Sequence, residues 1–246
     1  MVTENEKVAI VTGASRGIGA AIAERLAKDG FTVVINYAGK AAEAEALVTK
    51  IEQAGGKALS AQADVSDPKE VARLWDAAEA AFGGVDVLVN NAGIMRLAPM
   101  AEADDALVDG QIAINLKGPI NTMHLAARRL RDGGRIINLS SSVVGLYQPT
   151  YGVYAATKAG IEALTHVLSK ELRGRSITVN AVAPGPTATA LFLDGKPQAV
   201  IDQLTKLAPL ERLGQPEDIA NTVAFLAGPD GAWINGQVLR ANGGII

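Results

Sequence analysis

Two side chains with acid–base chemistry stand four residues apart in Tyr154-Ala155-Ala156-Thr157-Lys158. The stretch runs on through Ile161, Leu164 and Leu168, a helical period that puts the phenol and the ammonium on one face. A free tyrosine titrates near ~10, and a neighbouring ammonium favours the phenolate and lowers that value. Tyr154 can then give or take a proton as general acid or base. Upstream, an apolar run ends in Ser140-Ser141-Ser142, where a hydroxyl could hold a substrate oxygen, and Asn115, in an earlier helical stretch, could hold water on a proton path to Lys158. Alone, the Tyr–Lys pair would read as a solvated surface pair; the serines and Asn115 give it a chemical context.

A second group of residues suits a phosphate. Thr12-Gly13-Ala14-Ser15-Arg16-Gly17-Ile18-Gly19 joins a β-branched run to a helical one. Glycines there let the chain turn sharply and approach a pyrophosphate, whose charge rests on the helix N-terminus. Three glycines could also be only a tight turn, but a strand before and a helix after favour nucleotide binding. Asn90-Asn91-Ala92-Gly93 closes another apolar run, where small residues let a cofactor pass and the asparagines can tie the strand to its neighbours.

These groups need a scaffold, and the hydropathy pattern supplies one. Apolar runs at residues 8–12, 32–37, 58–63, 85–90, 135–140, 177–182 and 237–241 alternate with segments of helical period. The runs are apolar nearly throughout, as strands buried on both faces must be. The pattern predicts an α/β chain, 1–246, folded as one Rossmann-type domain around a doubly wound parallel sheet of about seven strands. Gly30 and Gly55 fall where helix C-caps belong, and Ser66-Asp67-Pro68 offers a capping hydroxyl and an early proline; Pro216-Glu217-Asp218 opens a helix the same way.

Taken in order, Gly13-x-x-x-Gly17-x-Gly19, Asn90-Asn91-Ala92-Gly93, Tyr154-x-x-x-Lys158, Pro184-Gly185-Pro186-Thr187, Arg212 to Ala220 and Asn235-Gly236-Gln237 resemble the short-chain dehydrogenases/reductases over residues 6–244. The match is closest to bacterial 3-oxoacyl-[acyl-carrier-protein] reductases and related ketone reductases. The resemblance implies reversible hydride transfer between a nicotinamide cofactor and a carbonyl or alcohol, in a homotetramer, with an acyl carrier protein as a further possible partner. It implies catalytic roles for Asn115, a serine, Tyr154 and Lys158, with Lys158 also bonding the nicotinamide ribose. It implies cofactor contacts from Gly13, Ser15, Arg16, Gly17, Ile18, Gly19, Asn36, Asp64, Val65, Asn91, Ala92, Gly93, Tyr154, Lys158, Pro184, Gly185 and Thr187. Counting back from Tyr154, and on from Asn138, selects Ser141 as the serine; a local Ser-x-x-Gly pattern, Ser142 to Gly145, selects Ser142. The reading adopts Ser141. The chain departs from the family in Arg240-Ala241-Asn242-Gly243-Gly244, where an Asp commonly precedes the glycines.

NADP(H) is expected over NAD(H). An NAD site carries an acid at the end of the second strand, where a carboxylate would repel a 2′-phosphate. Here that position is read as Asn36, followed by Tyr37 to Lys40 with no acid before Glu43, and Arg16 lies in the glycine loop. On this reading Asn36→Asp moves preference toward NADH.

Composition excludes several classes. With no cysteine there is no disulfide framework, zinc finger or thiol chemistry, and the cytoplasm is the expected compartment. A formal charge of -3, with no long run of one sign, argues against nucleic acid. The polar opening Met1 to Lys7 is unlike a signal peptide, and no apolar run has the length of a membrane span. His124 and His166 are read as structural, so no metal site is expected; Asp104-Asp105 is read as a helix start. Arg128, Arg129 and Arg131 are read as complementing a helix C-terminus rather than as a docking patch. Residues 94–100, 143–151 and 187–207 are the expected substrate walls, mostly apolar. A nucleotide-bound scaffold or redox sensor of the same fold is the competing reading.

Overall fold

The computed structural model describes residues 6–246, so most of the polar opening segment lies outside the described residues. In chain order the elements are β1 Val8–Val11, α1 Gly17–Lys28, β2 Thr32–Tyr37, α2 Ala41–Gln53, β3 Lys57–Gln62, α3 Pro68–Phe82, β4 Val85–Asn90, α4 Asp105–Ile112, a π-helical turn Ala113–Lys117, α5 Gly118–Arg129, β5 Leu130–Leu139, α6 Val143–Leu146, α7 Gly152–Glu171, β6 Thr178–Pro184, α8 Ala190–Leu193, α9 Gln198–Leu207, α10 Pro216–Ala227 and β7 Val238–Ala241. The strands form one seven-stranded sheet, order β3-β2-β1-β4-β5-β6-β7, parallel at every pairing.

Strand alternation divides the core in two. Ala9 and Val11 of β1, Val33 and Ile35 of β2 and Val182 of β6 face α1, α2 and α10 through Ile22, Leu47 and Val223. Val8, Ile10, Val34 and Val179 face α3, α5 and α7 through Trp75, Met123 and Leu168. Helices thus cover both faces, as buried parallel strands require. The expectation that every strand is buried on both faces fails at the sheet's two edges. β3 and β7 each have one bonded neighbour, and their side chains stay partly exposed.

Gly30 and Gly55 follow α1 and α2 with φ of 91° and 85°, the left-handed region a helix-ending glycine takes without strain. At α3 the cap differs from expectation: Asp67, not Ser66, accepts the Lys69 N–H, while the Ser66 hydroxyl turns to Asp64. A carboxylate is the stronger acceptor and complements the helix dipole. Asp104 caps α4. β5 starts earlier than its apolar run, at Leu130, because Leu130 pairs with Val85 and Gly134 passes Asp86 too closely for a side chain. Arg131 therefore lies in a strand and binds Asp86, and Arg129 binds Asp76 and Glu79, so the arginine cluster is largely neutralised by carboxylates.

Candidate active site

The sheet order reverses between β1 and β4, and the chains leaving their carboxyl ends diverge there to open a crevice. The glycine turn fills its rim. A Cβ on Gly13 would come within 2.8 Å of the Ala92 Cα, and one on Gly19 within 2.6 Å of the Gly13 carbonyl, so both positions need glycine. Asn91 holds the turn by donating Nδ2 to the Thr12 and Gly13 carbonyls at 2.9 and 3.0 Å, and the Thr12 hydroxyl accepts the Asn91 and Ala92 N–H groups. Asn90 donates to Asn138 at 2.8 Å, tying β4 to β5. Helix α1 has no side-chain cap and no acid in its first turn, so its N-terminal N–H groups suit a pyrophosphate. Ser15, Arg16, Gly17 and Ile18 line the same cleft.

Asn36 also lies in the cleft wall, but its carboxamide is occupied. Oδ1 accepts the Gly13 N–H at 3.2 Å, and Nδ2 donates to the Ala63 and Ala61 carbonyls at 3.0 and 3.3 Å. It is a buried strut between β2, β3 and the glycine turn, with both amide hydrogens already donated. The expectation for Asn36→Asp is corrected accordingly. A carboxylate would face two carbonyls with no hydrogen to donate, so the substitution should destabilise the fold by about 3 kcal/mol or more without a clean cofactor switch. Urea unfolding decides this: an unchanged midpoint with a shift to NADH would restore the first reading. Tyr37, Ala38 and Lys40, next along the chain, line the cleft beside Arg16. Asp64 lines it too, its carboxylate accepting from the Ser66 N–H and hydroxyl, and Val65 packs on Gly118.

The three serines point three ways. Ser140 donates to Glu162 Oε1 on α7 at 2.7 Å; Ser142, buried, donates to the Ala183 carbonyl at 3.2 Å and accepts from Asn242 at 3.1 Å. Ser141 lines the cleft with Tyr154 and lies close enough to its phenol to favour the ionised form. Lys158, one turn on, is buried and donates to the Leu139 carbonyl at 2.7 Å, with Nζ 5.7 Å from the centre of the Tyr154 ring.

Here the electrostatics differ from expectation. Burial pushes the Tyr154 phenol up to about 12; the Ser141 hydroxyl opposes this and Tyr151 adds to it. Burial pulls the Lys158 ammonium down to about 8. Desolvation outweighs any lowering of the phenol by the ammonium, so Tyr154 holds its proton through neutral pH.

Asn115 sits in the π-helical turn, fully buried. Its carboxamide is used on both sides by Ile94, accepting from the N–H and donating to the C=O, each at 2.8 Å. The side chain expected to hold water is therefore engaged. A Cβ on Gly93 would lie 3.3 Å from Asn115 Oδ1 and 3.8 Å from Lys158 Nζ, so these two residues converge on one small space.

The crevice has a volume of about 470 Å³. Of the residues expected to bind cofactor, Gly93, Pro184, Gly185 and Thr187 also line it, as do Tyr154, Lys158 and Ser141. The expected walls contribute Ile94, Met95, Leu146, Tyr151, Phe192 and Leu204 among others, whereas residues 96–100 do not reach it. The sequence reading missed Ile245, which lines the cleft from the far end of the chain, and Gln111, fully buried, whose Oε1 accepts the Arg96 N–H and helps Asn115 hold the wall at 94–96. Gln111 lies four residues before Asn115, which was the available signal. Among the described residues, no cluster of His, Asp and Glu could hold a metal ion, and no helix is long and apolar enough to cross a membrane.

Comparison with known proteins agrees with this geometry. Residues 13–246 match the sequence model of a family described as enoyl-(acyl carrier protein) reductase. An NADPH-dependent aldehyde reductase-like protein of Arabidopsis thaliana is 43% identical, over 98% of this chain and 94% of that one. A 3-oxoacyl-[acyl-carrier-protein] reductase of Staphylococcus aureus is 44% identical, over 97% and 98%. A solved short-chain dehydrogenase from Burkholderia cenocepacia, in complex with NADP, superposes with a TM-score of 0.92 at 40% identity, covering 97% of each chain.

Proposed function

Since the chain belongs to the short-chain dehydrogenase/reductase family of oxidoreductases, we propose that it is an NADPH-dependent reductase of apolar aldehydes and ketones, including 3-oxoacyl compounds, acting as one domain. The observation that carries this is the meeting of Ser141, Tyr154 and Lys158 in one cleft, with Lys158 Nζ 5.7 Å from the centre of the Tyr154 ring, beside a glycine turn that suits a dinucleotide. NADPH, when bound, supplies the hydride. Gly13, Gly17 and Gly19 would hold its pyrophosphate against α1, Arg16 and Lys40 its 2′-phosphate, Asp64 and Val65 the adenine side, and Lys158, Pro184, Gly185 and Thr187 the nicotinamide end. Ser141 donates to the substrate carbonyl oxygen, and Tyr154 passes it a proton. Lys158 supports the charge that Tyr154 then carries, and water reaching Lys158 at the small space it shares with Asn115 returns the proton.

The test is NADPH consumption by the purified protein against aldehydes, ketones and acetoacetyl thioesters; no turnover on any of them overturns the reading. A free carbonyl compound is favoured over one carried on an acidic protein, because Arg129 and Arg131 are already bound to carboxylates. In cofactor choice Tyr37→Asp, rather than a change at Asn36, should shift kcat/KM toward NADH by about tenfold or more, because its carboxylate would face the 2′-phosphate. Unchanged preference would remove Tyr37 from that role.

Titration gives a further check. Lys158 is an ammonium below about 8 and neutral above it, whereas Tyr154 keeps its proton to about 12. Reduction should therefore decline as pH rises through about 8, through loss of the lysine charge and not of the tyrosine proton. A profile flat to well above that value would exclude Lys158 as the controlling group. The protein is further read as a cytoplasmic homotetramer. Supporting this, Trp233 and Phe225 are exposed near α10 and the open edge of β7, and Ile112 and Ile120 on the α4–α5 side, positions that contacts between copies would cover. Light scattering giving a monomer would reject it.

A further inference from the structure

The segment Asn242–Ile246 folds back over the loop that follows the catalytic serine. Asn242 Nδ2 donates to Ser142 Oγ at 3.1 Å and to the main-chain oxygen of Ile246 at 3.4 Å, while its Oδ1 accepts the Gly244 N–H at 3.0 Å. Ser142 has already given its own hydrogen to the Ala183 carbonyl, so its oxygen can only accept. The position thus needs a side chain with both donors and an acceptor; a carboxylate would offer no hydrogen to either oxygen. Two glycines make room: a Cβ on Gly145 would lie 2.6 Å from Ile246 Cδ1, and one on Gly185 2.8 Å from the Asn242 Cα. With the segment seated there, Ile245 enters the wall of the cleft that Val143 and Leu146 also line.

We infer that Ile245 sets the size of the carbonyl compound's apolar group, and that Asn242 is a positioning residue that holds Ile245 in the wall. The inference rests on the carbonyl reductase reading and deepens it by naming what limits the substrate. Truncation at Ile245 opens the wall, and release of Asn242 should open it by the same route.

The experiment measures kcat and KM for straight-chain aldehydes from propanal to octanal in the parent, Ile245→Ala, Ile245→Phe and Asn242→Asp, together with the Kd of NADPH. The kcat/KM ratio of octanal to propanal should rise about tenfold or more in Ile245→Ala, fall in Ile245→Phe and rise in Asn242→Asp, with NADPH affinity constant, which a general loss of folding would not produce. In parallel, calorimetry of straight-chain primary amides binding to the NADP-loaded protein should show the same length dependence without turnover. An unchanged length profile in both Ile245 variants overturns the role of Ile245. A profile for Asn242→Asp unlike that of Ile245→Ala overturns the role of Asn242. A parent that reduces no aldehyde while its amide selectivity follows Ile245 defeats the catalytic reading and leaves this one standing.

Discussion

Tyr154→Phe is expected to lower kcat for carbonyl reduction by about 10²–10⁴-fold, the span attributed to a well-placed general acid. The ring stays, so its edge contact with Tyr151 and its place over Lys158 are kept, and only the hydroxyl beside Ser141 is removed. NADPH should still bind, because the glycine turn, α1 and Lys158 are untouched. A loss in kcat larger than any change in KM identifies an interaction made in the transition state. The same variant separates the enzyme from a nucleotide-bound scaffold, which has no rate to lose. Near-parental turnover would mean that Ser141 or a water donates the proton. The raised position of the phenol favours the strong effect: burial keeps Tyr154 protonated at neutral pH, so the unmodified site holds its proton ready for a forming alkoxide.

The parts of this molecule legible in the sequence are those with short-range signals. Strand and helix periods placed the seven strands to within a few residues, and the glycine spacing and the Tyr–Lys interval are visible along the chain. What needed three dimensions was the direction of side chains and the balance of burial against charge. Asn36 and Tyr37 are neighbours on β2, and only the pairing of Asn36 with Ala61 on β3, with Gly13 crossing above, shows that Asn36 is consumed as a strut. The spacing of Tyr154 and Lys158 gives their proximity but not their desolvation, which reverses the expected direction of the phenol's shift. At Asn115 the side chain is the obvious polar group. Yet Ile94, distant in sequence, takes both of its ends. Ile245 carries no chemical signal; it reaches the cleft in a segment where Asn242 meets Ser142 across the ends of β5 and β7.

Ser141→Ala should lower the rate of reduction by about 10²–10³-fold, the scale for losing one donor to a developing oxyanion, while Ser142→Ala leaves catalysis far less affected and acts mainly on stability. The local geometry dictates the difference. As β5 ends, successive side chains turn to different neighbours: Ser140 to Glu162, Ser141 to Tyr154, and Ser142 to the Ala183 carbonyl and Asn242. Ser142 is buried with its hydrogen already donated, so it has none to give a substrate oxygen. Removing its hydroxyl takes one of the two acceptors of Asn242 Nδ2, leaving the Ile246 oxygen, and should cost about 1 kcal/mol of folding free energy. Ser141 is partly exposed in the cleft, and its oxygen receives only a long 3.4 Å contact from the Val143 N–H, so its hydrogen is available to Tyr154 or to a carbonyl. Its loss also removes the one interaction that opposes the upward shift of Tyr154, so the alanine variant should hold the phenol proton more tightly as well as hold the substrate less well. Steady-state kinetics and urea unfolding on both variants decide it. A severe loss of kcat confined to Ser142→Ala, with Ser141→Ala near parental, would reassign the substrate hydrogen bond to Ser142 and require the loop after β5 to rotate when cofactor binds.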